Sequence, residues 1–384
     1  MKIGINGNEA NVAHRVGVGQ YAFELLSELS KLIIKNQSVT TYLSSQPLLD
    51  MPKATDSWQY SIFGPKRLWT LTGLQKKLFK EKISGRAPSV FFTPTHYTPV
   101  YMPLPSVIAI MDMSFERFPE YFNKRDYYQL KYWTWMSTFQ AEKILTISKF
   151  CKTEIERIYP FAKGKVVVTY PGYDKERFNR KVKSQGSKFK KISLKYKIYN
   201  HYLLYIGTLQ PRKNLTMLVE AFAQLKDKST QLVIVGMISE GRGGWMYQGI
   251  FEKARSLRLE DRVIFTGYVP DEELPYLLAG ATGYVLPSLY EGFGIPAIEA
   301  MATGVPVIVS KMSSLPEICG EAAIYIDDPY KVRSLRRALQ EALLQTPSER
   351  AKRVELGLRW VKRYNWEKTA RQTLDVLLET QSKK

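Results

Sequence analysis

The chain has 384 residues, 45% of them hydrophobic, with two cysteines and a formal net charge of +20. That length suffices for two α/β domains with a core each, and two cysteines make no disulfide framework, which points to a reducing compartment. No apolar run approaches the roughly 18–20 residues that cross a bilayer. The charge is uneven: residues 1–170 carry 22 Lys and Arg against 13 Asp and Glu, residues 171–200 carry 10 against 2, and residues 201–384 carry 24 against 21. Such a field favours an anionic partner (lipid surface, phosphorylated acceptor or nucleic acid), and it also serves solubility alone.

In chain order, residues 1–6 read as a strand with no signal-peptide pattern ahead of them, which favours a cytoplasmic chain. A loop with Arg15, Gly17 and Gly19 follows. Tyr21, Leu25, Leu29 and Ile33 then recur every four residues, as on one helix face. A glycine loop between a first strand and a first helix can cradle an anion, although most such pairs are plain turns. Residues 65–82 read as a basic amphipathic helix carrying Trp69, Leu74 and Leu78. Its stripe is expected to pack inward; the other arrangement lies on an anionic membrane. Residues 89–93, 105–111, 143–147 and 165–169 read as strands, and Ser148 as an N-cap. The aromatic run 127–139 is expected to be a core helix.

Residues 174–199 are basic and poor in apolar residues, as in a mobile linker. A strand over 202–206 leads to Gly207, Thr208 and a loop with Arg212 and Lys213, with Asn214 expected to cap the helix 215–225. Two cations beside helix N-termini can neutralise a diphosphate without a metal, and no Asp-x-Asp that would hold a divalent ion occurs. Further strands are expected at 231–235 and 262–265. Residues 241–245, rich in glycine, read as a surface turn or a lid. A final helix opens near Trp366.

Residues 287–304, PSLYEGFGIPAIEAMATG, follow an apolar strand at 283–286. Pro296 suits the first turn of a helix and Gly304 the position after its end. Seven residues separate Glu291, in the loop, from Glu299, about one turn into that helix. Both carboxylates can accept hydrogen bonds from one polyol, and the amides of Gly292, Phe293, Gly294 and Ile295 can donate to ligand oxygens. The same spacing also suits a Glu299 that only complements its own helix dipole and a solvated Glu291.

These residues resemble the retaining nucleotide-sugar glycosyltransferases of family 4, whose signature is Glu, seven residues, Glu, with Gly-Phe-Gly after the first. The resemblance implies an α/β chain of GT-B fold, two Rossmann-like doubly wound domains facing a central cleft. It implies that Glu291 contacts the donor sugar and Glu299 the nucleotide ribose. The stretch from Gly207 to Asn214, GTLQPRKN, matches the family's diphosphate loop, and Arg15-Val16-Gly17-Val18-Gly19 matches its first glycine loop. By the same resemblance the loop with Tyr268 and Val269 holds the base through backbone groups. The family often carries a His-Asp pair at the end of the strand read at 105–111; here Met111 stands in the His position beside Asp112, and His96, at the end of the neighbouring strand, is either a candidate substitute or a structural His.

The expected organisation is residues 1–172 as the acceptor-side domain, 173–200 as a basic linker, 201–365 as the nucleotide-sugar domain, and 366–384 as a helix crossing back. The expected activity is transfer of a hexose to a glycan or lipid-linked acceptor, independent of metal and of any further cofactor. The look of segments 207–214 and 241–248 favours GDP-mannose, with a UDP-hexose behind it. The expected location is cytoplasmic or peripheral on the inner face of the membrane. Alternatives are a GT-B phosphorylase or sugar-phosphate synthase, a catalytically silent sugar-nucleotide binder, and a nucleic-acid-binding protein. The last lacks a recognition helix or an aromatic RNA-binding strand, so nucleic acid is not an expected partner.

Overall fold

The computed structural model describes residues 1–34, 36–64, 68–236 and 248–381. The chain divides into two compact units. Unit 1 comprises Met1–Arg117, Lys124–Gly172 and Tyr364–Lys384, and unit 2 comprises Phe118–Asn123 and Tyr173–Arg363.

Unit 1 is built on seven strands: β1 (Lys2–Asn6), β2 (Ser38–Leu43), β3 (Trp58–Ile62), β4 (Val90–Thr93), β5 (Ser106–Ile110), β6 (Lys143–Thr146) and β7 (Val166–Val168). They pair in parallel in the order β3-β2-β1-β4-β5-β6-β7. The central strands are short and buried along their length, as a parallel sheet covered on both faces requires. From β1 the chain winds outward to β3 and then restarts on the other side at β4. The β1/β4 pair is therefore a switch point, where ligands bind beyond the carboxyl ends of such strands. Helix Val18–Leu32 buries Tyr21, Leu25 and Leu29 as their spacing requires. The Ser148 hydroxyl accepts from the Cys151 amide at 3.1 Å, capping helix Lys149–Ile158.

The basic stretch resolves into a π-helical turn, Trp69–Leu74, continued by helix Gln75–Ile83. Trp69, Leu74 and Leu78 are buried in one cluster with Tyr42 and Phe91. The stripe thus packs inward and Trp69 is core; Lys66 and Arg67 lie outside the described residues. Helix Lys124–Gln140 departs from expectation: it buries Thr134, Ser137 and Thr138 and leaves four of its aromatic rings exposed. Its composition is aromatic all round, so no apolar face could be read from spacing. Helix Trp366–Gln381 belongs to unit 1, where Trp366 meets Tyr21 edge-on at 5.6 Å and the Thr369 hydroxyl donates to the Tyr170 carbonyl at 2.6 Å.

Unit 2 carries β8 (Tyr202–Ile206), β9 (Gln231–Val235), β10 (Val263–Gly267), β11 (Gly283–Leu286), β12 (Val307–Ser310) and β13 (Ile324–Ile326). Their parallel order is β10-β9-β8-β11-β12-β13, which makes β8/β11 the second switch point. Residues 173–200 are not a free linker. They form helix Gly186–Lys195, and Lys195 pairs with Glu273 at 2.8 Å while Tyr196 donates to the same carboxylate at 2.7 Å. The sequence hid this because the few apolar residues that anchor it, such as Phe189 and Ile192, are diluted among lysines. Residues 241–245 lie outside the described residues. Among the described residues no helix is long and apolar enough to cross a membrane.

Candidate functional site

In unit 2, two loops meet at the carboxyl ends of neighbouring β8 and β11. After β8 the chain turns through Gly207, at φ 155°, where an added Cβ would come within 2.8 Å of the Tyr205 hydroxyl oxygen. It then makes the short 3-10 turn Pro211–Lys213. After β11, Pro287 to Gly294 precede helix Ile295–Ala302, which has Pro296 in its first turn and Gly304 beyond its end at φ 73°. Gly294 sits at φ 97°, a conformation that L side chains rarely adopt.

The loops are stitched together by backbone and side chain alike. The Leu289 amide donates to the Arg212 carbonyl at 2.7 Å, and the Arg212 guanidinium donates to the Tyr290 carbonyl at 2.9 Å. Glu291 accepts from Lys213 Nζ at 2.5 Å and from the Ser288 hydroxyl at 2.7 Å, with Arg212 Nη1 3.5 Å away. Its side chain is 9% exposed and that of Lys213 11%. Burial pushes the Glu291 carboxyl up, but the Lys213 and Arg212 charges and the two hydrogen bonds outweigh it and hold the carboxyl below its usual value. Ser313 and Ser314 fix the backbone on either side: the Glu291 amide donates to Ser313 Oγ at 2.9 Å, and the Ser314 hydroxyl donates to the Glu291 carbonyl at 2.9 Å. Asn214 does not cap its helix with its side chain. It adopts a left-handed conformation, and its amide donates to the Pro287 and Pro329 carbonyls, which ties the cation loop to the glycine loop.

Of the residues singled out by sequence, the structure brings Arg212, Lys213, Glu291, Gly292 and Phe293 into one buried or half-buried cluster, with Gly207 and Thr208 on the same loop as the cations. Glu299 lies half-buried on its helix, and burial together with the charges of Glu291 and Glu299 holds the Tyr284 hydroxyl well above its usual pKa. Tyr268, half exposed, and Val269, buried, follow β10 at the sheet's edge. Sequence reasoning missed Ser288, Ser313 and Ser314, which carry no pattern of their own. It also missed Phe118, whose ring stands edge-on to Tyr290 at 6.0 Å and stacks on Tyr121 at 5.4 Å.

In unit 1, Gly17 adopts φ 52° at the start of its helix, with nothing within 4 Å of an added Cβ, and Gly19 lies against the Glu9 carbonyl. Arg15 is committed elsewhere: its guanidinium grips Asp50 bidentately, donates to the Ala10 carbonyl at 2.6 Å and stacks on Phe23 at 3.9 Å. It braces the glycine loop rather than offering a cation to a ligand. Asp112 follows β5 and accepts from the Ser114 amide at 2.9 Å. His96 follows β4, its ring lies tilted by 54° against Tyr97 with centroids 4.0 Å apart, and its Nε2 has no hydrogen-bond partner among the described residues. Burial lowers its pKa to about 4 against the opposing pull of the Asp112 charge, so the ring is neutral at physiological pH.

Comparison with known proteins now bears on this geometry. The model of the family described as glycosyl transferases group 1 matches residues 188–357. O-antigen chain mannosyltransferase B of Escherichia coli is 33% identical over 74% of this chain and 73% of its own. The chain belongs to the group 1 glycosyltransferases. O-antigen chain mannosyltransferase RfbU of Salmonella typhimurium is 27% identical over 61% of this chain and 59% of its own. Among solved structures, a sucrose-phosphate synthase from Thermosynechococcus elongatus superposes with a TM-score of 0.77 at 19% identity over both whole chains. Anabaena HepE, in complex with UDP and glucose, gives 0.75 at 18% identity over 99% of this chain and 100% of its own. The two doubly wound parallel units are those of the GT-B fold. As a group 1 glycosyltransferase, the enzyme uses a nucleotide sugar.

Proposed function

We propose that this glycosyltransferase moves a mannosyl group from GDP-mannose to a glycan or lipid-linked acceptor, with retention of anomeric configuration and without a divalent metal, in polysaccharide assembly on the cytoplasmic side of a membrane. The observation that carries the reading is the joint Arg212–Lys213–Glu291 at the carboxyl ends of β8 and β11. Two cations fixed beside the amides of a glycine loop are preorganised donors for a leaving diphosphate, whose charge grows in the transition state. Glu291, kept ionised, accepts from sugar hydroxyls, and Glu299 accepts from the ribose. Asp112 and the glycines Gly17 and Gly19 serve the acceptor side. Similarity to mannosyltransferases supports the choice of sugar.

The test is a panel of GDP-, UDP-, ADP- and dTDP-sugars followed by NMR of the product. GDP-mannose turnover giving an axial mannoside supports the reading. Turnover of only a UDP-sugar overturns the donor assignment, and an equatorial product overturns retention.

A further inference from the structure

The loops at the switch point of unit 1 differ in charge from those of the site in unit 2. Beyond β8 and β11 the chain sets Arg212 and Lys213 side by side. In the loops after β1 (residues 7–17), β4 (94–105) and β5 (111–113), Arg15 is the one Lys or Arg. Its guanidinium is held bidentately by Asp50 and stacks on Phe23, so its charge is already spent. Arg117 and Lys149, beyond those loops, are exposed to solvent. The acidic groups of the same three loops are Glu9 and Asp112.

Glu9 is exposed, and its carbonyl lies against Gly19 of the glycine loop. Burial and the charges of Glu9 and Asp126 push the Tyr97 phenol up to about 12, which puts the Glu9 carboxylate within reach of that ring. Tyr97 packs on His96 and on Trp133, with centroids 4.0 and 4.5 Å apart. Burial keeps His96 neutral against the pull of the Asp112 charge, and its Nε2 is buried with no hydrogen-bond partner among the described residues. A buried nitrogen of this kind costs free energy until a ligand or a water meets it. A hydroxyl both donates and accepts, so it satisfies either tautomer of the neutral ring, whereas the ring offers a phosphate no charge. A sugar phosphate would also bring negative charge to loops that hold two carboxylates and no free cation. We propose that unit 1 selects an uncharged sugar as the residue that receives the mannosyl group, with Glu9, Asp112 and His96 taking its hydroxyls, and rejects a sugar phosphate. The inference rests on the reading that this unit serves the acceptor. It would set the chain apart from a sugar-phosphate synthase.

The test uses the full chain and sets the methyl α-glycosides of mannose, glucose, galactose and N-acetylglucosamine against their 6-phosphates. Saturation-transfer NMR with GDP present reads binding, and transfer from GDP-mannose reads kcat/KM. At least one neutral glycoside should bind and accept, with kcat/KM at least about a hundredfold above that of its 6-phosphate. Glu9→Gln should raise KM for that glycoside at least about tenfold, with kcat changed less and GDP affinity unchanged, a split that damage to the fold would not give. Glu9→Lys supplies a cation and should narrow the gap between neutral and phosphorylated acceptors. A 6-phosphate that binds or accepts as well as its neutral sugar overturns the proposal. So does a wild-type KM in both Glu9 variants, or the absence of binding by every neutral glycoside. Failure of wild type to bind GDP counts against the donor reading instead, and the NMR panel run without nucleotide still decides the acceptor.

Discussion

Lys213→Met keeps the aliphatic stem and removes the ammonium that meets Glu291 at 2.5 Å. Both side chains are about nine-tenths shielded, so solvent screens the pair weakly. Removing one partner of a buried pair costs about 3–5 kcal/mol. Arg212 at 3.5 Å and the Ser288 hydroxyl at 2.7 Å still face the carboxylate, which sets the expected loss at the lower end, about 3 kcal/mol. For a unit of about 200 residues this lowers Tm by about 6–12 °C near neutral pH. The pH dependence follows from Glu291. A carboxyl held below its usual value contributes stability that is present above about pH 4.5 and lost as pH falls through the folded value. In the variant, burial is opposed by fewer charges, so the carboxyl takes up a proton at higher pH. The gap in Tm between the two proteins should therefore be widest near about pH 7 and narrow toward about pH 4. Differential scanning calorimetry across that range is the assay. An unchanged Tm at neutral pH, or a gap that stays constant on acidification, refutes the reasoning.

Glu299→Ala should weaken GDP-mannose binding by about 1.5–3 kcal/mol, as for hydrogen bonds to a charged group; titration calorimetry showing unaltered affinity in a folded variant would sink the ribose assignment. Transfer should survive EDTA, since cations of the chain meet the diphosphate; complete loss restored by magnesium contradicts this. His96, with a folded pKa of about 4, contributes stability above its unfolded value of about 6.5 that is lost as pH falls toward 4, on the order of 2–3 kcal/mol in all. His96→Gln should flatten that slope, and an NMR titration placing the ring near its unperturbed value would refute it.

Much of this was legible in the chain. Strands buried on both faces, such as β5 (SVIAI) and β9 (QLVIV), are continuous apolar runs whose short length separates them from the buried helices. The glycine loops and the Glu291–Glu299 spacing stood out because glycine, proline and paired carboxylates are each sterically or electrostatically specific. What was not legible depended on neighbours. β3 buries chiefly Trp58, so its edge position leaves no pattern. Ser148 was readable as a cap because capping is local, whereas Asn214, in an equally plausible place, turns its amide to the Pro287 and Pro329 carbonyls across the fold. Arg15 sits in a motif that suggests a ligand, and only the fold shows Asp50 beside it. The aromatic stripe of helix Lys124–Gln140 inverts the rule that large rings point inward, since Thr134, Ser137 and Thr138 fill its inner face, with Ser137 bonded to Thr98 and Thr138 to the helix backbone.

The central claim is that Arg212 and Lys213 hold the donor's diphosphate beside the Glu291 loop. The affinity of the wild-type enzyme and of Arg212→Ala for GDP, by titration calorimetry at constant salt without divalent metal, tests it most directly. The account predicts binding by the wild type and a loss of at least about tenfold in the variant, as expected for a charge-assisted contact to phosphate. Equal affinity in a variant that melts like wild type would contradict it.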